Sequence, residues 1–115
     1  MKKVLITGVN GQIGSKLLPK LIQRIGTENV IATDFHKELM NSEIEYENIK
    51  VNYEQINVTD RDDLEFILTD NKIRTVIHLA GLVSALSEEK PELAKLINID
   101  AVYYLFRLAN KYKLK

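Results

Sequence analysis

No cysteine occurs anywhere in the 115 residues, so disulfides, thiolate nucleophiles and Cys-based zinc sites are excluded. Net charge is missing too. Sixteen Lys plus Arg balance sixteen Asp plus Glu, which removes the long-range field that gathers nucleic acid or an anionic membrane to a binder. Neither partner is expected. Long apolar runs are also lacking: Met1-Lys2-Lys3 opens with charge, but Val4 to Ile6 stops at Thr7-Gly8, too short for a signal-peptide core or a membrane span. The expected compartment is the cytoplasm. No internal repeat or low-complexity segment interrupts the chain.

What is present is the composition of one soluble domain. With 45% hydrophobic and 28% charged residues, the chain can bury roughly two thirds of its unfolded surface and is too apolar to be disordered.

The apolar pattern alternates between two periods. Lys3 to Thr7 is a short apolar run ended by glycine, the signature of a buried parallel strand. Ile13, Leu17, Leu21 and Ile25 then recur every four residues, a helix face, with Gly26 placed to close it in a left-handed cap. Pro19 conflicts with that helix: an interior proline costs about 3 kcal/mol and predicts a bend, or a regular part that starts later. Strands are predicted at Asn29 to Thr33, Tyr53 to Val58 and Arg74 to Leu79, with a helix from Asp60 to Asp70. His36 to Lys50 reads as a polar surface excursion. A last helix begins near Pro91, a residue suited to a first turn, and runs to Tyr112. Strand-helix alternation implies right-handed crossovers, a mostly parallel sheet and helices on both faces, hence the α/β class.

The last helix is apolar on two sides. Leu93, Leu96, Ile97, Tyr104, Leu105, Leu108 and Tyr112 form one stripe, and Ile99, Val102 and Phe106 a second, where a surface helix needs only one. A homo-oligomer through this helix, or through the exposed edge of the fourth strand, is the expected use of such surfaces.

Between the first strand and first helix stands Thr7-Gly8-Val9-Asn10-Gly11-Gln12-Ile13-Gly14. Gly8 permits a tight turn, Gly11 lets the backbone approach a pyrophosphate, and Gly14 lets the helix pack closely. The helix N-terminus offers amides and a positive dipole end to the phosphates. Asp34 lies 20 residues after Gly14, at the end of the next strand, where a carboxylate accepts hydrogen bonds from the adenosine ribose. A carboxylate there repels a 2′-phosphate, so NAD is preferred to NADP as the dinucleotide bound.

Those glycines and the His78-Leu79-Ala80-Gly81 segment give a chain that resembles the extended short-chain dehydrogenases/reductases, the NAD-dependent epimerase/dehydratase group. Within that group it is most similar to the L-threonine 3-dehydrogenases, through Leu5 to Gly14, Asn29 to Asp34, Leu82-Val83-Ser84-Ala85, Glu89 to Ala94 and Asn98. The resemblance implies a Rossmann-type doubly wound parallel sheet, truncated after about four strands, so that residues 1–115 form a partial dinucleotide-binding domain. It implies that Gln12 and Ile13 lie under the pyrophosphate, that Asp34 holds the ribose and that Asn57 and Val58 flank the adenine. Leu79, Ala80 and Gly81 would pass the nicotinamide-side ribose, and Ser84 would face the substrate. Asn57 replaces the group's usual Asp, and its amide can still reach an adenine amine. The group transfers hydride with a Tyr-x-x-x-Lys pair on the helix after a fifth strand. The chain is expected to lack that pair and to be inactive alone, with a small-molecule substrate taken only by the complete enzyme. The front half of a sugar-nucleotide epimerase/dehydratase and a non-catalytic nucleotide-binding or assembly module are the alternatives.

Other residues have plainer readings. Tyr46 and Lys50 match the Tyr-x-x-x-Lys spacing in the wrong place. Asp60, Asp62, Asp63 and Glu65 favour a helix start rather than a metal. His36 and His78 are far apart, and His78 reads as a satisfied imidazole at the core edge. Ser84 and Ser87 lack a nucleophile elbow. Lys111, Lys113 and Lys115 suit a solvated helix end.

Overall fold

The structure is a computed structural model and describes residues 3–81 and 88–115. Four strands, β1 (Lys3–Thr7), β2 (Val30–Asp34), β3 (Asn52–Gln55) and β4 (Ile73–His78), form one parallel sheet in the order β3-β2-β1-β4. The chain winds outward from β1 in one direction to β3 and then crosses back to place β4 on the other side. That reversal leaves a crevice beyond the carboxyl ends of β1 and β4, where ligands of open α/β sheets bind. The chain has the Rossmann-type fold expected of it.

Two cores flank the sheet. On one face, α1 (Gln12–Ile25) sets Leu18 and Ile22 against Ile6, Val30 and Ala32. On the other, α3 (Arg61–Asp70) and the last helix set Leu64, Ile67, Leu105 and Leu108 against Leu5 and Ile31. Asp60 caps α3, its carboxylate accepting from the Asp63 amide at 3.1 Å, as the acidic run implied. Among the described residues no helix is long and apolar enough to cross a membrane.

Several elements differ from expectation, each for a local reason. Helix α1 runs through Pro19, which is buried. Proline lacks the amide that would bond to the Ser15 carbonyl, and that carbonyl instead accepts the side-chain amide of Asn41 at 2.8 Å. Asn41 also accepts from the Ile44 amide at 3.1 Å and so caps α2 (Ser42–Glu47), a short helix inside the stretch expected to be irregular. The helix face is rotated from the expected one: Leu18 is fully buried while Ile13 is 68% exposed. Gly26 closes α1 with φ 91 but ψ 148, an extended rather than left-handed helical ψ. β3 stops at Gln55, earlier than expected, although Ile56 still donates to the Asp34 carbonyl at 2.9 Å.

The last helix is interrupted. It starts as α4 (Pro91–Lys95), widens into a π-turn (Leu96–Asp100) and resumes as α5 (Ala101–Tyr112). A π-turn bonds i to i+5 and shifts the helical phase. Leu93 and Leu96 therefore move from the inner stripe to the outer one, beside Ile99, Tyr103 and Phe106, all exposed. After α5 the chain turns back, and Lys115 donates to the Arg74 carbonyl at 3.0 Å and accepts from the Val76 amide at 2.6 Å. This is the bonding of a parallel neighbour, so part of the β4 edge expected to be exposed is paired.

Candidate functional site

The three glycines of the first loop do different work. Gly8 turns with φ 73, and a Cβ on it would stand 2.6 Å from the Leu79 carbonyl carbon and 2.7 Å from the Ala80 nitrogen. A Cβ on Gly14 would meet the Gly8 oxygen at 2.3 Å and the Val9 Cα at 2.8 Å. These two positions bring backbone against backbone. Gly11 is exposed, and its nearest hindrance to a Cβ is the Gly8 oxygen at 3.3 Å. It is the N-cap of α1, whose start has no side-chain cap and no acidic residue in its first turn. Gln12 and Ile13 are exposed beside it. The first-turn amides and the positive end of α1 thus open outward with no protein carboxylate of their own, an arrangement that accepts an anion.

Asp34 ends β2 beside this loop. One carboxylate oxygen accepts from the Asn10 amide at 2.9 Å and the other from the His36 amide at 3.2 Å. Each oxygen keeps a second acceptor site, so the group is oriented without being saturated. Behind it Tyr53 donates its hydroxyl to the His36 carbonyl. Burial, then the Asp34 charge, pushes the Tyr53 phenol up to about 12, against an opposing hydrogen bond with Asn10. Asn10 donates to the Glu38 carbonyl at 3.1 Å and accepts from the Met40 amide at 2.8 Å, while Gln55 donates to the Phe35 carbonyl at 2.9 Å. Asn10, Tyr53 and Gln55 hold the loop after Asp34. Sequence reasoning passed over all three, and only Asn10, inside the glycine loop, carried a signal.

The end of β3 corrects one expectation. The Asn57 side-chain oxygen accepts both the Thr59 amide at 3.0 Å and the Thr59 hydroxyl at 2.7 Å. Both of its lone-pair sites are then used, so the side chain has only its Nδ2 hydrogens to offer a ligand, as a donor and not an acceptor. Val58 is buried in the core.

At the end of β4, Leu79 and Ala80 are half-buried and Gly81 is exposed. The Thr7 hydroxyl accepts from the amides of Leu79 at 3.0 Å and Ala80 at 3.1 Å and lies 2.8 Å from His78 Nδ1. Burial lowers the His78 pKa, which keeps the ring neutral. The imidazole is satisfied on one side only: Nε2 is buried and has no partner among the described residues. A Cβ on Gly81 would stand 3.1 Å from the Asn98 side-chain oxygen, which brings the π-turn to this segment.

Gly8, Gly11, Gln12, Ile13, Gly14, Asp34 and Leu79 to Gly81 therefore gather around the carboxyl ends of β1, β2 and β4, with Asn57 beyond the end of β3. Ser84 and Ser87 lie outside the described residues. Tyr46 is fully exposed on α2, so its spacing to Lys50 builds no site. Among the described residues no group of three or more His, Cys, Asp or Glu side chains is placed to hold a metal. Two surface clefts flank this region among the described residues. One of about 490 Å³ is lined by Asn10, Ser15, Lys16 and Asn41, and one of about 230 Å³ by Arg61, Asp100, Tyr104 and Arg107. Neither is lined by Gly11 or Asp34, so the case for the loop rests on its backbone geometry.

Comparison with known proteins gives a consistent result. The profile of the NAD dependent epimerase/dehydratase family matches residues 4–115. An uncharacterized epimerase/dehydratase of Staphylococcus epidermidis is 38% identical over 115 residues, 100% of this chain and 35% of that protein. The L-threonine dehydrogenase of Clostridium difficile superposes with a TM-score of 0.88 at 36% identity, over 100% of this chain and 35% of its own. The UDP-glucose 4-epimerase of Thermotoga maritima superposes with a TM-score of 0.79 at 28% identity, over 98% of this chain and 35% of its own. The chain thus spans about a third of the length of the proteins it matches.

Proposed function

The chain belongs to the NAD dependent epimerase/dehydratase family, and from that premise we propose that it binds NAD across the glycine loop. The observation that carries the reading is the pairing of an open, uncapped α1 start at Gly11 with an oriented, unsaturated Asp34 carboxylate. The amides of Gln12, Ile13 and Gly14 would receive the pyrophosphate. Asp34 would accept the adenosine ribose hydroxyls, and Asn57 would donate to the adenine edge. Leu79 to Gly81 would carry the nicotinamide-side ribose, and Ser84 would face the substrate. The nicotinamide, when bound, supplies a hydride acceptor.

For the whole protein the proposed activity is oxidation of a secondary alcohol of the L-threonine 3-dehydrogenase kind. The higher TM-score and identity to the threonine dehydrogenase support it over the sugar-nucleotide alternative. Calorimetric titration of NAD and NADP into the chain and into Asp34→Ala tests the cofactor reading. NAD should bind more tightly than NADP, and the variant should lose about tenfold for NAD, the scale of a hydrogen bond to a charged group, with a narrower preference. Equal affinity of the two proteins for NAD would refute it.

We also propose that the outer stripe of the last helix docks a second copy of this chain. A second copy fits because an antiparallel pair centred on Tyr103 would cover Leu96, Ile99 and Phe106, all exposed, with the same residues of the other copy. Sedimentation should give a dimer that Phe106→Glu dissociates, and a monomer at high concentration would refute the pairing.

A further inference from the structure

Thr7 and His78, at the ends of β1 and β4, are not among the residues assigned to the pyrophosphate or the ribose, yet their hydrogen bonds converge on the backbone that crosses the crevice. Thr7 is fully buried. A hydroxyl offers one hydrogen and two acceptor sites. Both acceptor sites are occupied, by the Leu79 amide at 3.0 Å, which also reaches the Thr7 carbonyl at 3.2 Å, and by the Ala80 amide at 3.1 Å. The single hydrogen is left for His78 Nδ1 at 2.8 Å. Nδ1 must then be the bare nitrogen of a neutral imidazole, with the proton on Nε2. On its other side the same segment presses on Gly8, where no side chain could fit between them.

We propose that Thr7 and His78 form a latch that fixes the Leu79–Ala80 backbone against the Gly8 turn and so sets the position of the nicotinamide half of the binding crevice. Resting on the NAD reading only for its last clause, the latch makes Thr7 and His78 positioning residues that touch no ligand. The logic is directional. If Nδ1 carried the proton, the Thr7 oxygen would face three donors with two acceptor sites, and its own hydrogen would lose its acceptor. Either the Ala80 amide would lose its partner or the Leu79 amide would be left to the Thr7 carbonyl alone. The position therefore calls for a hydroxyl at residue 7, and a valine of the same shape cannot serve.

The test begins without any variant. In the ligand-free chain labelled with nitrogen-15, the imidazole shifts of His78 should identify Nδ1 as unprotonated and Nε2 as protonated; the opposite tautomer overturns the proposal. Hydrogen exchange at the Ala80 amide, whose bond is to the hydroxyl, should accelerate about tenfold in Thr7→Val, the scale of one lost hydrogen bond, and return near the original rate in Thr7→Ser, while the Leu79 amide, which keeps the Thr7 carbonyl, changes less. Unchanged exchange at Ala80 in Thr7→Val overturns it. NAD should bind more weakly to Thr7→Val while ADP, which does not reach Leu79, binds as before. Equal losses for the two ligands would make Thr7 merely structural and overturn the positioning role. A chain that bound neither ligand would refute the NAD reading, while the tautomer and exchange results would still judge the latch.

Discussion

The two faces of the sheet are held in different ways. On the α1 side, beyond the core of Leu18 and Ile22, backbone meets backbone at Gly14 against Gly8 and Gly8 against Leu79, and the Ser15 carbonyl released by Pro19 is taken by the Asn41 side chain. On the α3 and α5 face, side chains fill the space, with Leu64, Leu105 and Leu108 in the core and Glu65 bridging Lys111 at 2.8 Å and Tyr112 at 2.6 Å. Backbone contact tolerates no added atom, whereas side-chain packing yields by degrees. The proposed binding crevice sits on the first kind of construction, which holds its position fixed.

The sharpest break in this contrast is within the glycine loop itself. Gly14→Val should cost about 3 kcal/mol or more, at the upper end for overpacking, because the Gly8 oxygen would stand 2.3 Å and the Val9 Cα 2.8 Å from its Cβ; the denaturant midpoint reads it. Gly11→Val should cost less than about 1 kcal/mol, the scale of a changed N-cap, yet abolish NAD binding. Similar stability losses at both positions would erase the distinction.

On the opposite face, Leu64→Ala should cost about 3 kcal/mol, since the side chain is fully buried and leaves a cavity. Phe106→Ser, at 67% exposure on the outer stripe, should stay within about 0.5 kcal/mol for the monomer.

A smaller effect tests the proline. Asn41→Ala should cost about 1–2 kcal/mol, from a lost cap and a lost partner for the Ser15 carbonyl. In Pro19→Ala the helix can satisfy that carbonyl itself, so Asn41→Ala should cost less there. A double-mutant cycle in urea measures the difference, and strict additivity would show that the two residues do not share the carbonyl.

The smallest effect is electrostatic. Hydrogen bonds from Lys111 and then Tyr112 hold the half-buried Glu65 carboxyl below its usual value of 4.5. A depressed carboxylate stabilises the fold above its unfolded pKa, and the contribution disappears as pH falls from about 4.5 through the depressed value. The urea midpoints of the wild type and Glu65→Gln should therefore converge in acid and separate slightly at neutral pH. A gap that widens in acid would contradict the assignment.

The same contrast explains what could be read beforehand. The glycine loop, Asp34 and the alternation of strands and helices are local patterns fixed by sterics and period, and the structure places them as expected. The phase of the last helix was not legible, because a π-turn at Leu96–Asp100 leaves no mark on apolar spacing. Nor was α2, whose cap depends on a carbonyl freed 26 residues earlier. Asn10, Tyr53 and Gln55 escaped notice since each acts through a backbone group of another element.

The central claim is that a dinucleotide lies on the α1 start and against Asp34. A titration of NAD followed by amide chemical shifts tests it most directly. The account predicts that shifts concentrate at Gly8, Gly11 to Gly14 and Asp34, and spread to Leu79 to Gly81, with residues 101–112 silent. Shifts gathered instead around Arg61 and Arg107, or none at saturating NAD, would contradict it.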